Sequence, residues 1–284
     1  MQGKNSINGK RLFFKNFKIT SYISTSICLV ALMAIIIQIL IEGVPYLSLD
    51  LIFGVYDETP SIFPALIGTL ELVFLSILIA GPIGIFTAIF LVEYLDNDSL
   101  LVCIIRISIE TLAGIPSIVY GLFGYLIFVV SMNLGYSLLG GGLTLAIMIL
   151  PIIVRSTEES LISVPNELRE GSFALGAGKT RTIFKVVLPT ASNGIIAAII
   201  LAMGRVLSES AVLILTIGMV VNKVPTSIMS SGTSLALDIY YFASYGYPNE
   251  AAATSLVLLV LIIVLNLLAT LVGKLSRKGK TNGK

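Results

Sequence analysis

The sequence predicts an all-α membrane protein of about six transmembrane helices, and three observations carry that expectation. Hydrophobic residues make up 56% of the 284 and charged residues only 12%, about half of the roughly 25% found in soluble domains. Too few polar side chains remain to coat a globule in water, so lipid must solvate much of the surface. Apolar runs of roughly 20 residues, the length that crosses the hydrocarbon layer, recur along the chain. Basic residues, finally, gather in alternate loops between those runs. A net charge of +2 is too small to argue for nucleic acid as a partner.

In chain order, residues 23–41 form the first span and 72–92 the second. Between Glu110 and Arg155 lie 44 residues without a charge, too many for one helix and interrupted by the polar MNLGYS at 132–137. This stretch reads as a hairpin of spans 112–130 and 138–154. A fifth run begins at Pro189 and extends to about Val221, interrupted by Arg205 and Glu209, and the sixth covers 251–273. Lys4, Lys10, Arg11, Lys15 and Lys18 precede the first apolar segment as in a signal peptide. That segment ends in QILIEGVP without a small-x-small cleavage pattern, so an uncleaved span is expected.

With the N-terminal tail inside and six alternating spans, 16 of the 18 basic residues fall on the inner side. Lys223 lies outside and Arg205 within a span. The first external loop carries Glu42, Asp50, Asp57 and Glu58 and no basic residue, so both termini are expected in the cytoplasm. The organisation is then a cytoplasmic tail over 1–22, a first helix and external loop over 23–59, a core over 60–273 and a cytoplasmic tail over 274–284. Cys28 and Cys103 are far apart in a chain without histidine, and read as inert thiols rather than a disulfide or metal site.

The longest polar interruption, Ser156 to Leu188, reads STEESLISVPNELREGSFALGAGKTRTIFKVVL and falls on the inner side. Pro165 suits a first helical turn, Leu168, Ser172 and Leu175 share a face, and Gly176 and Gly178 permit a stop and a sharp turn. A second helical piece sets Ile183, Phe184, Val187 and Leu188 on one side against Arg181, Thr182 and Lys185 on the other. Two short amphipathic helices meeting at a glycine elbow make a compact knob, although such helices can also simply lie on lipid.

A more specific pattern overlies that periodicity. Glu170-Gly171-Ser172, Leu175-Gly176-Ala177 and Val186-Val187-Leu188-Pro189 together resemble the EAA motif of ABC importer permeases, with Gly171 and Ser172 where the family prefers alanine. The resemblance implies the type I ABC importer fold. It also implies that 156–188 is the coupling loop, which sits in a groove of a separate ATPase and passes its closure to the membrane helices. Glu170, Gly171, Ser172, Leu175, Gly176 and Pro189 are the coupling residues so assigned. GAGKT at 176–180 has a rival reading as a phosphate-binding loop. That motif needs a glycine five residues before Gly178, where Phe173 stands, together with a preceding strand and an acidic Mg²⁺ ligand. ATP and Mg²⁺ are therefore expected on a partner ATPase, with no cofactor in this chain, which reads as a transport subunit and not an enzyme.

The segments ETLAGIPSIVYGLFG at 110–124, LTLAIMILPIIVRSTEESLISVP at 143–165 and GIIAAIILAMGRVLSESAVLI at 194–214 are similar to permeases of the phosphate-specific ABC importer. That likeness covers about residues 60–273. RSTEE at 155–159 and the ending LDIYYFASYGYPNEAAATSLVLLVLIIVLN look more like the PstA type than its PstC partner. Where the family has G-E-T this chain has Ser208-Glu209-Ser210, which keeps the acid and loses the helix-loosening glycine. The resemblance implies import of inorganic phosphate across a bacterial or archaeal plasma membrane. Its implied partners are a PstC-type permease, two PstB-type ATPase subunits and an external PstS-type binding protein. A PstC-type chain, or a permease for another oxyanion such as molybdate or phosphonate, is the nearest alternative; an ion-gradient secondary transporter is the alternative from another class.

An ionisable side chain near the bilayer centre costs about 2.5 to 3.5 kcal/mol on insertion scales and faces a partner or a pathway. Arg205 and Glu209, four apart, fit either a structural ion pair or an anion route in which Arg205 lines the path and Glu209 holds it. The resemblance favours the route. Arg155 is either a topology anchor at a helix end or, as the resemblance implies, a substrate-pathway residue whose planar guanidinium suits an oxyanion. Glu71 and Glu110 begin spans and read as interfacial. Pro82, Pro116 and Pro151 read as helix kinks. Gly140 to Gly142 allow either close helix contact or a loose helix start, and Tyr240, Tyr241, Phe242, Tyr245 and Tyr247 fit an outer aromatic belt.

Overall fold

A computed structural model describes the backbone of residues 2–54, 56, 60–96 and 98–281, and the side chains of that set from 17 to 271. The described residues form twelve α-helices and no strand. Helix α1 (Gln2–Gly43) contains the first expected span and continues unbroken through the residues expected as a tail. A short α2 (Leu49–Phe53), capped by the Ser48 hydroxyl accepting from Leu51 N–H at 3.0 Å, leads into α3 (Phe63–Ile89). Helix α3 buries Ala65, Gly68, Thr69, Leu72, Val73, Ser76, Ala80 and Gly84, a stripe at helical spacing made mostly of small residues. It ends in a π-helical turn, Phe90–Tyr94.

The third expected span is not one helix. Helix α4 (Leu100–Ala113) and the segment from α5 (Ser117–Gly124) through a π-helical run, Tyr125–Ser131, meet at 101°. Pro116 lacks an N–H and pushes Ile115 out of the helical region, so α4 stops at Gly114 and the chain restarts. Pro116 is thus a helix boundary and not the kink expected of it. Helix α6 (Leu138–Ile162) follows, begun by the Ser137 hydroxyl accepting from Gly140 N–H at 3.2 Å. At 25 residues it is about 37 Å long, enough to cross a hydrocarbon layer of about 30 Å.

Beyond the loop of α7 (Asn166–Ala174) and α8 (Lys179–Thr182), the fifth expected span is shorter than 189–221. Helix α9 (Leu188–Leu207) breaks at Ser208, α10 (Ala211–Thr216) restarts for under two turns, and the chain then runs irregularly to α11 (Leu235–Ser244). Helix α12 (Pro248–Thr281) closes the fold and runs on through most of the expected C-terminal tail. Among the described residues five helices are long and apolar enough to cross a membrane, and the number is six if the bent α4–α5 pair is one span.

Helices α3, α6 and α9 form the centre, with α12 against α9 and α1 against α12. Leu72, Leu145, Ile149, Ile153, Leu213 and Phe242 fill one core. A second, at the end of the bundle that bears the 163–187 loop, joins Leu91, Val102, Val154, Leu161, Ile183 and Val187. Glycines set the spacing of the central seam: a Cβ at Gly142 would collide with Leu75, and one at Gly84 with Ile153. Gly140 to Gly142 therefore serve close contact, the first of their two readings. Phe242, expected in an aromatic belt, is fully buried, because α11 tucks its inner face against the core.

Candidate functional site

The 163–187 loop is a built structure. Helix α7 ends in a Schellman motif, in which Ala177 N–H donates to Ser172 O at 3.1 Å and Gly176 N–H to Phe173 O at 2.9 Å. Gly176 takes φ +82°, which the missing Cβ makes free of strain. The turn projects Leu175, 91% exposed, at its tip beside exposed Phe173 and Glu170, and nothing lies within 4 Å of the position a Cβ would take on Gly171. The expected face of Leu168, Ser172 and Leu175 divides: Leu168 and Leu175 point outward, while the Ser172 hydroxyl turns in to Thr182 Oγ1 at 2.8 Å. In the second piece Thr182 is buried and Phe184 exposed, the reverse of expectation. The π-helical turn Ile183–Val187 carries an extra residue per turn and rotates the faces away from an α-helical register. Pro189 sits in the first turn of α9, where its missing N–H costs nothing.

The underside of the loop is held by groups no local spacing reveals. Arg169 donates from Nε and Nη2 to Glu93 Oε1 at 3.2 and 2.8 Å, from Nη2 to Leu161 O at 2.9 Å and from Nη1 to Val164 O at 2.7 Å. Arg106 on α4 likewise donates from Nε to Glu158 Oε1 on α6 at 2.7 Å. These partners are 76 and 52 residues apart in sequence.

Of the expected pathway residues, Arg155 is not at a helix end. Helix α6 continues about two turns beyond it, because Thr157, Glu158 and Leu161 are buried and prolong the helix past the apolar run. Arg155 donates from Nη1 to Glu110 Oε1 at 3.0 Å and from Nε to Glu159 Oε1 at 3.2 Å. Glu110 closes α4 instead of opening a span, and this pair ties the bent segment to α6. All three side chains are at least half exposed on this chain.

Glu209 departs from the helical face expected for it. It stands in the Ser208–Ser210 break, 4% exposed, with Oε2 3.3 Å from Arg205 Nη2 and Oε1 accepting from Val212 N–H, the opening of α10. The break thus forms without the family's glycine. Gly194 of α9 abuts Ser160 of α6 and fixes an antiparallel register that sets Arg205 level with Ile149, near the middle of α6. Arg205 and Arg155 are then about 9 Å apart in depth, and among the described residues no hydrogen bond or ion pair joins their two sets. Glu71, expected at a surface, lies two turns inside α3 with Oε2 buried and unpartnered. Asp238, which sequence reading passed over, is fully buried, accepts from the Thr233 hydroxyl and leaves Oδ2 unpartnered. Burial pushes its carboxyl up to about 7 against the Thr233 bond, which lowers it.

An exposed charge at membrane depth must face water or another chain rather than lipid. The half-exposed guanidinium groups of Arg155 and Arg205 therefore call for water or a neighbouring chain beside them, and a hydrogen-bonded loop projects from the end of the same helices.

Comparison with known proteins agrees with that. Residues 80–281 match the family described as binding-protein-dependent transport system inner membrane component. A probable ABC transporter permease protein, YqgI, of Bacillus subtilis (strain 168) is 33% identical across 94% of this chain and 99% of its own length. The phosphate transport system permease protein PstA of Pasteurella multocida (strain Pm70) is 33% identical across 81% of this chain and 83% of its own. Among solved structures, a chain of a bacterial alginate ABC transporter in complex with an alginate pentasaccharide-bound periplasmic protein superposes with a TM-score of 0.68 at 16% identity, covering 93% of this chain and 96% of that one. At that identity the likeness is one of fold.

Proposed function

The chain belongs to the family of binding-protein-dependent transport system inner membrane components, as a permease subunit of an ABC importer, and we propose that its cargo is inorganic phosphate. The observation that carries the cargo is the pair of guanidinium groups in membrane-embedded helices, Arg155 and Arg205, each held by carboxylates and each still exposed on this chain. A dehydrated oxyanion in a low-dielectric path needs N–H donors and positive charge, and the guanidinium fork meets phosphate oxygens two at a time. Arg155 uses Nε and Nη1 on Glu159 and Glu110, leaving Nη2 to receive an oxyanion. The PstA relative supports the same reading.

In this reading the chain forms half of a pore with a PstC-type permease. An external PstS-type protein delivers phosphate, and two PstB-type ATPase subunits bind ATP and Mg²⁺. The 163–187 loop, with Glu170, Gly171, Ser172, Leu175 and Gly176 on or beside its exposed tip, docks on one ATPase from the cytoplasm, where both termini also lie. Closure of the ATPase pair then pushes on α6 and α9, which carry Arg155 and Arg205. Uptake of labelled phosphate by cells deleted for this chain and complemented with it tests the proposal. Uptake restored by the parent chain, lost with Arg155→Ala and competed by arsenate but not molybdate is the expected result; competition by molybdate, or uptake abolished by an ionophore while ATP is present, contradicts it.

A further inference from the structure

The 163–187 loop is covalently continuous with only two membrane helices, α6 and α9. We propose that it also drives a third, α3, through a joint made by Arg169 and Glu93 with Tyr94 beside them, so that Arg169 is a positioning residue for energy coupling. This rests on the reading of the loop as the ATPase-docking element.

One guanidinium here ties three pieces of backbone together. Its Nε and Nη2 both reach Glu93 Oε1 in the π-helical turn that ends α3. Its Nη2 and Nη1 also donate to Leu161 O in the last turn of α6 and to Val164 O in the link to α7, and Nη1 meets Asn166 Oδ1 at 3.2 Å in the first turn of α7. The side chains of Arg169 and Glu93 are only 15% and 8% exposed. An exposed pair would slip at little cost, but separating a buried one strands a charge away from water. A displaced α7 must therefore carry the end of α3 with it.

The other half of the loop grips the same turn. Lys179 Nζ of α8 lies 5.2 Å from the Tyr94 ring centroid and Thr180 Oγ1 is 3.5 Å from Tyr94 OH. Consecutive residues at the end of α3 thus touch both helices of the loop, Glu93 through a buried ion pair and Tyr94 through exposed contacts. Helix α3 then runs along α6 and α9 to the Arg205 level, with Pro82 inside it as the point where it can flex.

The test uses the assembled transporter in vesicles, with partner permease, ATPase subunits and phosphate-loaded binding protein, and reads ATP hydrolysed and phosphate imported together. Glu93→Gln keeps the side-chain shape and removes the charge, whereas Arg169→Lys keeps the charge and removes the planar fork; each weakens the joint. The expected result is hydrolysis close to the parent's with phosphate imported per ATP reduced about tenfold, a usual size for coupling between sites. A proportionate fall in both, leaving the ratio unchanged, or failure of both variants to assemble, overturns the proposal by making the pair a scaffold. Leu175→Cys cross-linking to the ATPase, carried out alongside, separates the two ways of failing. A retained cross-link with an unchanged ratio removes the joint alone, whereas no cross-link in the parent complex removes the reading of the loop.

Discussion

Arg205 is 45% exposed while its partner Glu209 is 4% exposed, so the two members of the pair depend on each other unequally. Arg205→Ala leaves a buried carboxylate without its counter-ion and is expected to cost about 1 to 3 kcal/mol, less than a fully buried pair because the arginine is half in the open. Arg205→Lys should recover the melting temperature but not the transport rate, because an ammonium lacks the planar fork; equal recovery of both would reduce the pair to structure. Asp238, in α11 and outside the spans, gives a pH signature. Its carboxyl keeps a proton to about 7 in the fold against an ordinary value of 3.8, so the folded state binds more protons between those values. Stability therefore falls as pH rises from 4 towards 7 and levels off above. Asp238→Asn should flatten that slope in thermal unfolding scans and raise the melting temperature at pH 8. Arg155, Arg205 and Glu209 were legible in the sequence because a charge in an apolar run stands out. The distant partner of Arg155 was not: Glu110 is 45 residues away. Glu71 looked interfacial because α3 begins earlier than its charge-free run.

At the scale of elements, the five straight spans could be read from apolar length, although that of α9 was drawn too long, and the loop's glycine elbow from Gly176. The bend in the other span escaped because a proline in an apolar run marks a kink and a helix end alike; only the fold of Gly114 to Pro116 onto the core decides between them. The π-helical turns at Phe90–Tyr94, which ends α3, and at Ile183–Val187, within the loop, have no sequence signal at all, and the second reversed Thr182 and Phe184. Close packing of α3 on α6 is testable through its glycines. Gly142→Leu drives a side chain into Leu75 and is expected to cost about 1 to 3 kcal/mol, seen as a lower melting temperature in detergent. Gly204→Ala meets nothing within 4 Å and should stay within about 0.5 kcal/mol; equal damage from both would mean that the seam does not set the spacing.

Taken whole, the chain is an incomplete bundle. From Phe17 to Glu42 no residue of α1 is buried, Arg155 of α6 and Arg205 of α9 are about half exposed, and the most exposed large apolar residue among those described, Leu175 at 91%, stands on a polar loop where lipid burial does not explain it. The membrane, and the second permease and motor protein proposed above, would cover each of these features. The central claim is that the loop is the point where the motor pushes, and a cysteine at Leu175 addresses it most directly. Cross-linking of Leu175→Cys in membranes containing the whole transporter should capture the ATPase subunit, in a yield that changes when ATP is added, and the cysteine should resist impermeant reagents applied to intact cells. Capture of no ATPase, or labelling from outside the cell, would contradict the account.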